Sequence, residues 1–244
     1  MATDEPLVAV SGLAKSFDGR VVVSGVTMRL GVGEVVGLVG ANGGGKTTTL
    51  RMLAGLVRPD HGDGVVLGRP VGAAGMSVRQ RIGYMGQRQS LYPELTVVET
   101  LRFHAAVHGL PFAGTAVAQA IDRYGISAVA RERCGTLSGG WARRVQFAAT
   151  VLAVPALLLL DEPTAGLDVA TRHDIWGWIA DLARAGCGVA ISTHDLVEAQ
   201  RCPSVVLYHG GTAYPQAAPA ALAEAHGAPT LEAAVLSIAR SGTA

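Results

Sequence analysis

The chain has 244 residues and a mass of 25.0 kDa, 49% of its residues hydrophobic and 16% charged. That is enough for one α/β domain with a modest insertion, and it excludes an intrinsically disordered chain. Lys plus Arg number 20 and Asp plus Glu 19, a formal net charge of +1, so the basic excess of a dedicated nucleic-acid binder is missing and no nucleic-acid partner is expected.

The first predicted elements are β-rich segments at Leu7–Val10 and Val21–Leu30, with a turn at Asp18-Gly19 between them. Glu34–Val39 is bounded by glycines and suits a buried strand. Lys46 to about Ala54 has helical spacing and Gly55 suits its C-terminal stop. Val65–Leu67 and Ile82–Met85 read as short strands. Thr96-Val-Val-Glu99 is a capping box, so a helix starts there and runs to about His108. Ala113–Tyr124 and Trp141–Ala153 are helical windows. Ala156–Leu160 is a continuous apolar run that fits a fully buried parallel strand. A helix over 172–184, a strand Gly188–Ser192 and a helical turn at 195–201 follow. Val205–Tyr208 and Thr212–Tyr214 make a hairpin, and two short helices span Pro219–Arg240. Trp176 and Trp178 lie two apart on a helix and cannot share a face, so at least one belongs to the core or a contact surface.

Several classes of function fall away here. Cys134, Cys187 and Cys202 form no CxxC pair and read as reduced thiols of a cytosolic protein, not a disulfide frame or a zinc site. His61, His104, His108, His173, His209 and His226 show no metal-ligand spacing. Met1–Pro6 is short and acidic, unlike a secretory signal. The longest apolar run, Val151–Leu160, is interrupted by Pro155 and is shorter than the ~20 residues of a spanning helix. The expectation is a chain that does not itself cross a membrane.

Glycine makes up 32 of the 244 residues, about 13% against an average of about 7%, which points to tight turns and close backbone approaches to a ligand. Only two of the basic residues are lysines, and one of them, Lys46, closes a glycine-rich loop. Gly40-Ala41-Asn42-Gly43-Gly44-Gly45-Lys46-Thr47 fits G-x-x-x-x-G-K-[ST] between a predicted strand and a predicted helix. Such a loop wraps backbone N–H groups and the positive end of a helix around phosphate oxygens. Lys46 reaches the β- and γ-phosphates and the Thr47 hydroxyl ligates Mg²⁺. Leu157–Leu160 followed by Asp161 and Glu162 is an apolar strand ending in acid. Asp161 is thereby placed at the carboxyl edge of the sheet to hold Mg²⁺, and Glu162 to polarise an attacking water. Leu137-Ser138-Gly139-Gly140 offers a hydroxyl and free amides at a helix start, a second anion site, although Ser-Gly-Gly is also an ordinary turn.

In order, the chain carries Phe17, the Gly40–Thr47 loop, Gln87, Leu137–Gly140, Leu157–Glu162, Ala165-Gly-Leu-Asp168 and Ser192-Thr-His194. This series, running from about Leu7 to Tyr214, resembles the nucleotide-binding subunit of an ATP-binding cassette (ABC) transporter. The resemblance implies a P-loop NTPase core, a mostly parallel sheet with helices on both faces, carrying an N-terminal antiparallel β-subdomain. It places the core at about 7–87 and 155–214, an inserted helical subdomain at 88–154 and a short helical tail at 215–244. ATP and Mg²⁺ are the implied cofactors. Phe17 would stack on adenine, Gly40–Thr48 would bind the phosphates, and Thr47, Gln87 and Asp161 would hold the metal. Glu162 would be the general base, with His194 on the γ-phosphate and Gln87 sensing the metal and the water.

The same resemblance implies that Ser138, Gly139, Gly140 and Asp168 serve the active site of a second copy, so that two ATP molecules lie in a head-to-tail dimer. The second ABC subunit is identical or homologous. A separate transmembrane permease would dock near Arg88–Glu94, with the chain peripheral on the cytoplasmic face of the cell (inner) membrane, driving export. Cassette ATPases that drive membrane-complex assembly or cell division, or that act in translation, are the alternatives. One departure stands out: the family's signature continues with glutamine where this chain has Trp141. Arg143-Arg144 is expected as a helix-surface pair beside that site.

Overall fold

A computed structural model describes residues 5–72 and 75–241; residues 1–4, most of the acidic start read above, lie outside it. β1 (Val8–Phe17) and β2 (Arg20–Leu30) form an antiparallel hairpin. Its turn residues Asp18 and Gly19 both have positive φ, 51° and 76°, the twist a two-residue hairpin loop needs and the one Asp-Gly adopts readily. β3 (Val35–Gly40) leads through the glycine loop into α1 (Lys46–Leu53). β4 (His61–Val66) and β5 (Arg69–Pro70) then pair beside β1, and α2 (Met76–Arg79) precedes β6 (Ile82–Met85).

β4 starts four residues before the apolar pattern does, because His61-Gly-Asp-Gly64 carries no strand signal. The glycines there answer a steric demand. A Cβ at Gly64 would lie 2.2 Å from the carbonyl oxygen of Ala9, and one at Gly62 2.5 Å from the backbone of Gly12. The two-residue β5 and the single-turn α2 are too short to show a period in the sequence.

Between β6 and the next strand the chain forms α3 (Val97–Val107), α4 (Ala113–Arg123) and α5 (Gly139–Val151). The capping box is formed: Thr96 Oγ1 accepts from the Glu99 N–H at 3.3 Å, and the Thr96 N–H donates to Glu99 Oε2 at 2.8 Å. β7 (Leu157–Asp161), α6 (Val169–Arg184), β8 (Gly188–Thr193), α7 (Leu196–Ala199), β9 (Ser204–His209) and β10 (Thr212–Ala213) follow, then α8 (Pro219–Ala225) and α9 (Leu231–Ser241). α5 and α6 begin two and three residues earlier than their apolar periodicity indicates. Asp168 caps α6 through its side chain, while α5 opens on Gly139 and Gly140, which carry no apolar side chain to show the period.

The sheet order is β5-β4-β1-β2-β10-β9-β3-β8-β7-β6. Its five strands β9, β3, β8, β7 and β6 are all parallel; β10 runs antiparallel to β9 and meets β2 of the antiparallel part through the parallel pair Thr212↔Ser24. Every residue of β7 and β8 is buried, as expected of strands covered on both faces. Alternate side chains feed two cores. Leu158 and Leu160 pack with Val145, Phe147 and Ile175 on one side, while Leu157 and Leu159 pack with Leu50, Leu53 and Met28 on the other.

Both tryptophans of α6 point inward. Trp176 is buried, and the Trp178 ring lies 5.1 Å from Tyr124 and 5.5 Å from Phe147. Both of its sides find partners because α6 touches α5 as well as β8. The three cysteines are buried free thiols, and burial pushes Cys187 up to about 11 and Cys202 to about 12, which keeps them protonated and unreactive.

The central position of β3 decides where a ligand can sit. Its neighbour β8 is reached from β6 and β7 on one side, and β9 lies on the other. The strand order therefore reverses at β3, and the carboxyl ends of the strands open a crevice there. The glycine loop occupies it.

Candidate functional site

Glycine is obligatory at two points of the loop. Gly40 has φ 150°, and a Cβ on it would lie 2.2 Å from the carbonyl oxygen of Tyr208; Gly45, the N-cap of α1, has φ 101°, and its Cβ would lie 2.5 Å from that of Val23. No side chain caps α1, so the N–H groups of its first turn stay available to an anion.

Lys46 begins that helix and is only 4% exposed. Its Nζ donates to the carbonyls of Gly40 at 2.6 Å and Ala41 at 3.0 Å and lies 3.6 Å from Glu162 Oε1. Burial lowers its pKa from the usual lysine value, with the carboxylates of Glu162 and Asp161 acting in the opposite direction. The ammonium thus braces the loop with carbonyls and stands beside an acid.

Asp161 ends β7 fully buried, and its Oδ1 accepts from Thr47 Oγ1 at 3.0 Å and Ser192 Oγ at 2.7 Å. A hydroxyl and a carboxylate at this distance are hard oxygen donors, the kind Mg²⁺ takes. The described residues contain no cluster of three or more His, Cys, Asp or Glu able to hold a metal. The hydroxyl and carboxylate of Thr47 and Asp161 fit Mg²⁺, which is commonly held by one or two protein oxygens together with substrate phosphates.

Glu162 comes next and adopts the left-handed region, φ 49°, which an unbranched L-residue enters only when its surroundings hold it there. Its N–H donates to Ser192 Oγ at 2.9 Å and to the Ser192 carbonyl at 3.2 Å. The side chain is 5% exposed, with Oε2 2.7 Å from His194 Nδ1. A buried carboxylate flanked by an ammonium and an imidazole can accept a proton and pass it on.

Val22, Asn42–Thr48, Gln87 and Glu162 together line a cavity of about 250 Å³. Ala41 lines a neighbouring cavity of about 560 Å³ with Arg20–Val22, Asn42–Gly44 and Tyr208–Gly211. The structure thus assembles the loop, Gln87, Asp161, Glu162 and His194 in one place. Phe17 lies at the end of β1, 46% exposed, with the Lys15 ammonium 5.4 Å from its ring centre; it lines neither cavity.

Ser138, Gly139, Gly140 and Asp168 are also apart from the loop. Ser138 and Gly139 are exposed at the start of α5, and Ser138 makes no side-chain cap hydrogen bond. Asp168 caps α6 through Thr171, accepting from its N–H at 2.9 Å and its hydroxyl at 2.8 Å. These bonds hold the Asp168 carboxyl below the usual carboxylate range. A Cβ on Gly140 would lie 3.8 Å from Asp168 Oδ2, so these two segments form one surface of their own.

Arg143 departs from the surface position expected of it. It is no surface residue: it is 5% exposed, and its guanidinium bonds to carbonyls beside Gln87 and Glu162. The residue type alone gave no signal, since an Arg-Arg pair on a helix is ordinarily solvated. Arg144 is half-buried rather than solvated, its side chain 17% exposed and paired with Asp174.

Its guanidinium also lies 5.5 Å from the centre of the half-buried Trp141 ring and 5.6 Å from that of Trp178. Trp141 therefore joins α5 to α6 through packing. Trp141→Gln is expected to cost about 1–3 kcal/mol of stability from lost apolar burial and cation–π contact, without a large rise in ATP turnover. Thermal melting beside a turnover assay checks this, and a large rise in turnover would show instead that the tryptophan weakens the site.

Residues 23–165 match the sequence profile of the family described as ABC transporter. The chain belongs to the ABC transporter family. Within it the chain is 35% identical over 211 residues to "Probable multidrug ABC transporter ATP-binding protein YbhF" of Escherichia coli (strain K12), a match covering 85% of this chain and 36% of YbhF. It thus spans about a third of that relative's length. It is 40% identical over 198 residues to "Cytochrome c biogenesis ATP-binding export protein CcmA" of Cupriavidus necator, covering 81% of this chain and 87% of CcmA. A solved structure described as "Structure of ATP binding subunit of ABC transporter" superposes with a TM-score of 0.85 at 27% identity, over 94% of this chain and 98% of that one. The fold is that of an ABC ATPase, a P-loop NTPase core with a mixed sheet. Among the described residues no helix is long and apolar enough to cross a membrane.

Proposed function

We propose that the chain hydrolyses ATP as one of two paired subunits and uses the closure of that pair to drive export through a separate permease. The observation that carries this reading is the buried Glu162 carboxylate, set between Lys46 and His194 at the mouth of the glycine loop.

In this mechanism the triphosphate lies along Asn42–Thr48, its oxygens taking the backbone N–H groups and Lys46 leaving the Gly40 and Ala41 carbonyls for the phosphates. Phe17 closes on the adenine. Thr47 Oγ1, Asp161 and Gln87 would hold Mg²⁺, and the chemistry it would supply there is neutralisation of phosphate charge. Glu162 takes a proton from the attacking water, and His194, bonded to Glu162 Oε2, orients that carboxylate and faces the γ-phosphate. Catalysis here is positioning and charge stabilisation, with no covalent enzyme intermediate.

Ser138, Gly139, Gly140 and Asp168 complete the site of the opposite subunit. Their separation from the loop and the free hydroxyl of Ser138 at the start of α5 support this assignment. Residues 88–154 then act as the helical lever and Arg88–Glu94 as the permease contact. Tyr92 and Phe103 support that contact: 51% and 42% exposed, they meet edge to face at 5.4 Å and leave an aromatic surface uncovered beside the Gln87 segment. One named relative bears on direction, being named an export protein. The permease would hold the chain on the cytoplasmic face of the membrane.

Tyr92→Asp with Phe103→Asp is expected to release the chain from detergent-solubilised membranes, where the wild type stays with a hydrophobic permease, while ATP affinity is retained. Co-purification measures it; equal retention of the variant would move the contact elsewhere, and recovery of the wild type free of any membrane protein would contradict the transport reading.

A further inference from the structure

Arg143 is a buried charge whose hydrogen-bond partners among the described residues include no carboxylate. Its Nε donates to the Pro163 carbonyl at 2.8 Å. One terminal nitrogen donates to the carbonyls of Gly86 and Gln87, each at 3.1 Å, and to Gln146 Oε1 at 3.0 Å; the other donates to the carbonyls of Asp161, at 3.2 Å, and Glu162. Burial lowers the pKa of the guanidinium, and the nearby charges of Asp161 and Glu162 oppose that shift. Placing a cation where it meets mainly neutral oxygens is unfavourable unless the geometry it fixes matters.

That geometry surrounds the reacting groups. The β6–β7 register ends at Met85↔Leu160, and Arg143 bridges the two segments immediately beyond, 86–87 and 161–163. Glu162 sits in the left-handed region there. Ser192 holds its N–H, and Arg143 holds its carbonyl. The peptide units on both sides of Glu162 are thus pinned, which fixes the direction in which its side chain leaves the backbone. Gln146, one helical turn along α5, extends the same grip by donating from Nε2 to the Arg88 carbonyl at 3.1 Å and Ser90 Oγ at 3.4 Å.

We propose that Arg143 is a positioning residue for ATP hydrolysis, holding Glu162 in its left-handed conformation and fixing its distance from the Gln87 segment. This rests on the reading of Glu162 as base. Lysine cannot replace it, because three donors on one nitrogen do not fan out across both segments as the planar guanidinium does.

The test is a double-mutant cycle in the full-length chain. Arg143→Lys is expected to lower kcat about ten- to a hundredfold in the Glu162 protein, with KM for ATP within about twofold, since misplacement of a reacting group acts on turnover. In the Glu162→Gln protein, followed by single-turnover hydrolysis, the same change should alter the residual rate by less than about twofold, since Arg143 acts through the carboxylate. Equal losses in both backgrounds, or a loss confined to KM, would overturn the proposal. Should Arg143→Lys fail to fold, Arg143→Gln, which keeps a planar donor without the buried charge, is read through the same cycle. Failure of both to fold would assign Arg143 to stability alone and also overturn it. A wild-type chain without turnover would sink the ATPase reading first, before any Arg143 variant is made, and the proposal would fall with it.

Discussion

Glu162→Gln protein is expected to bind ATP about as well as the wild type and to hydrolyse it about 10²–10⁴ times more slowly, the usual worth of a general base. The amide keeps the size of the side chain and can still meet His194 and Lys46, which lie 2.7 Å and 3.6 Å from the carboxylate. It has no basic oxygen to receive the proton of water. Because the step that reopens the pair is lost while nucleotide binding is kept, ATP should accumulate on a dimer. Single-turnover hydrolysis and sedimentation with ATP measure the two halves of this outcome. An unchanged rate would remove Glu162 as base and leave His194 as the next candidate.

Lys46→Ala should lose ATP affinity by roughly tenfold to more than a hundredfold, the range of one or two charge-assisted hydrogen bonds. Its effect on the fold alone should be small. Burial disfavours the Lys46 ammonium, which is why its pKa is lowered, so removing it relieves a desolvation penalty while giving up the bonds to Gly40 and Ala41 and the ion pair with Glu162, which keeps His194. The contrast appears in thermal melting. Wild-type protein gains about 2.7 kcal/mol at an ATP concentration one hundred times its Kd, and the variant gains about 1.4 kcal/mol or less at that same concentration. An undiminished ATP-induced shift would refute the phosphate role of Lys46.

The parts of the fold and site legible in the sequence are those with a strict local cause. The glycine loop could be read because Gly40 and Gly45 stand where any Cβ would collide, and Leu157–Leu160 because a strand covered on both faces needs unbroken apolar sequence. The Thr96–Glu99 box fixed the start of α3 for an equally local reason. What escaped was set by tertiary contacts. Arg143 looks like any helix-surface arginine until the carbonyls of 86–87 and 161–163 converge on it. Ser192 shows its place only when β8 lies beside β7 and brings its hydroxyl to Asp161. The left-handed Glu162 and the glycine-lined start of β4 have no period to reveal them.

Mixing two inactive variants tests the central claim, that each ATP site is built from the glycine loop of one copy and the Ser138 segment of another. Lys46→Ala spoils the loop, and Ser138→Arg obstructs the segment; each protein alone should lack turnover. A mixed pair retains one intact site, so an equimolar mixture should recover roughly a quarter of the wild-type rate if the two sites act independently, half of the dimers being mixed. A mixture as inactive as its components, or a Ser138→Arg protein with full activity alone, would contradict the shared site.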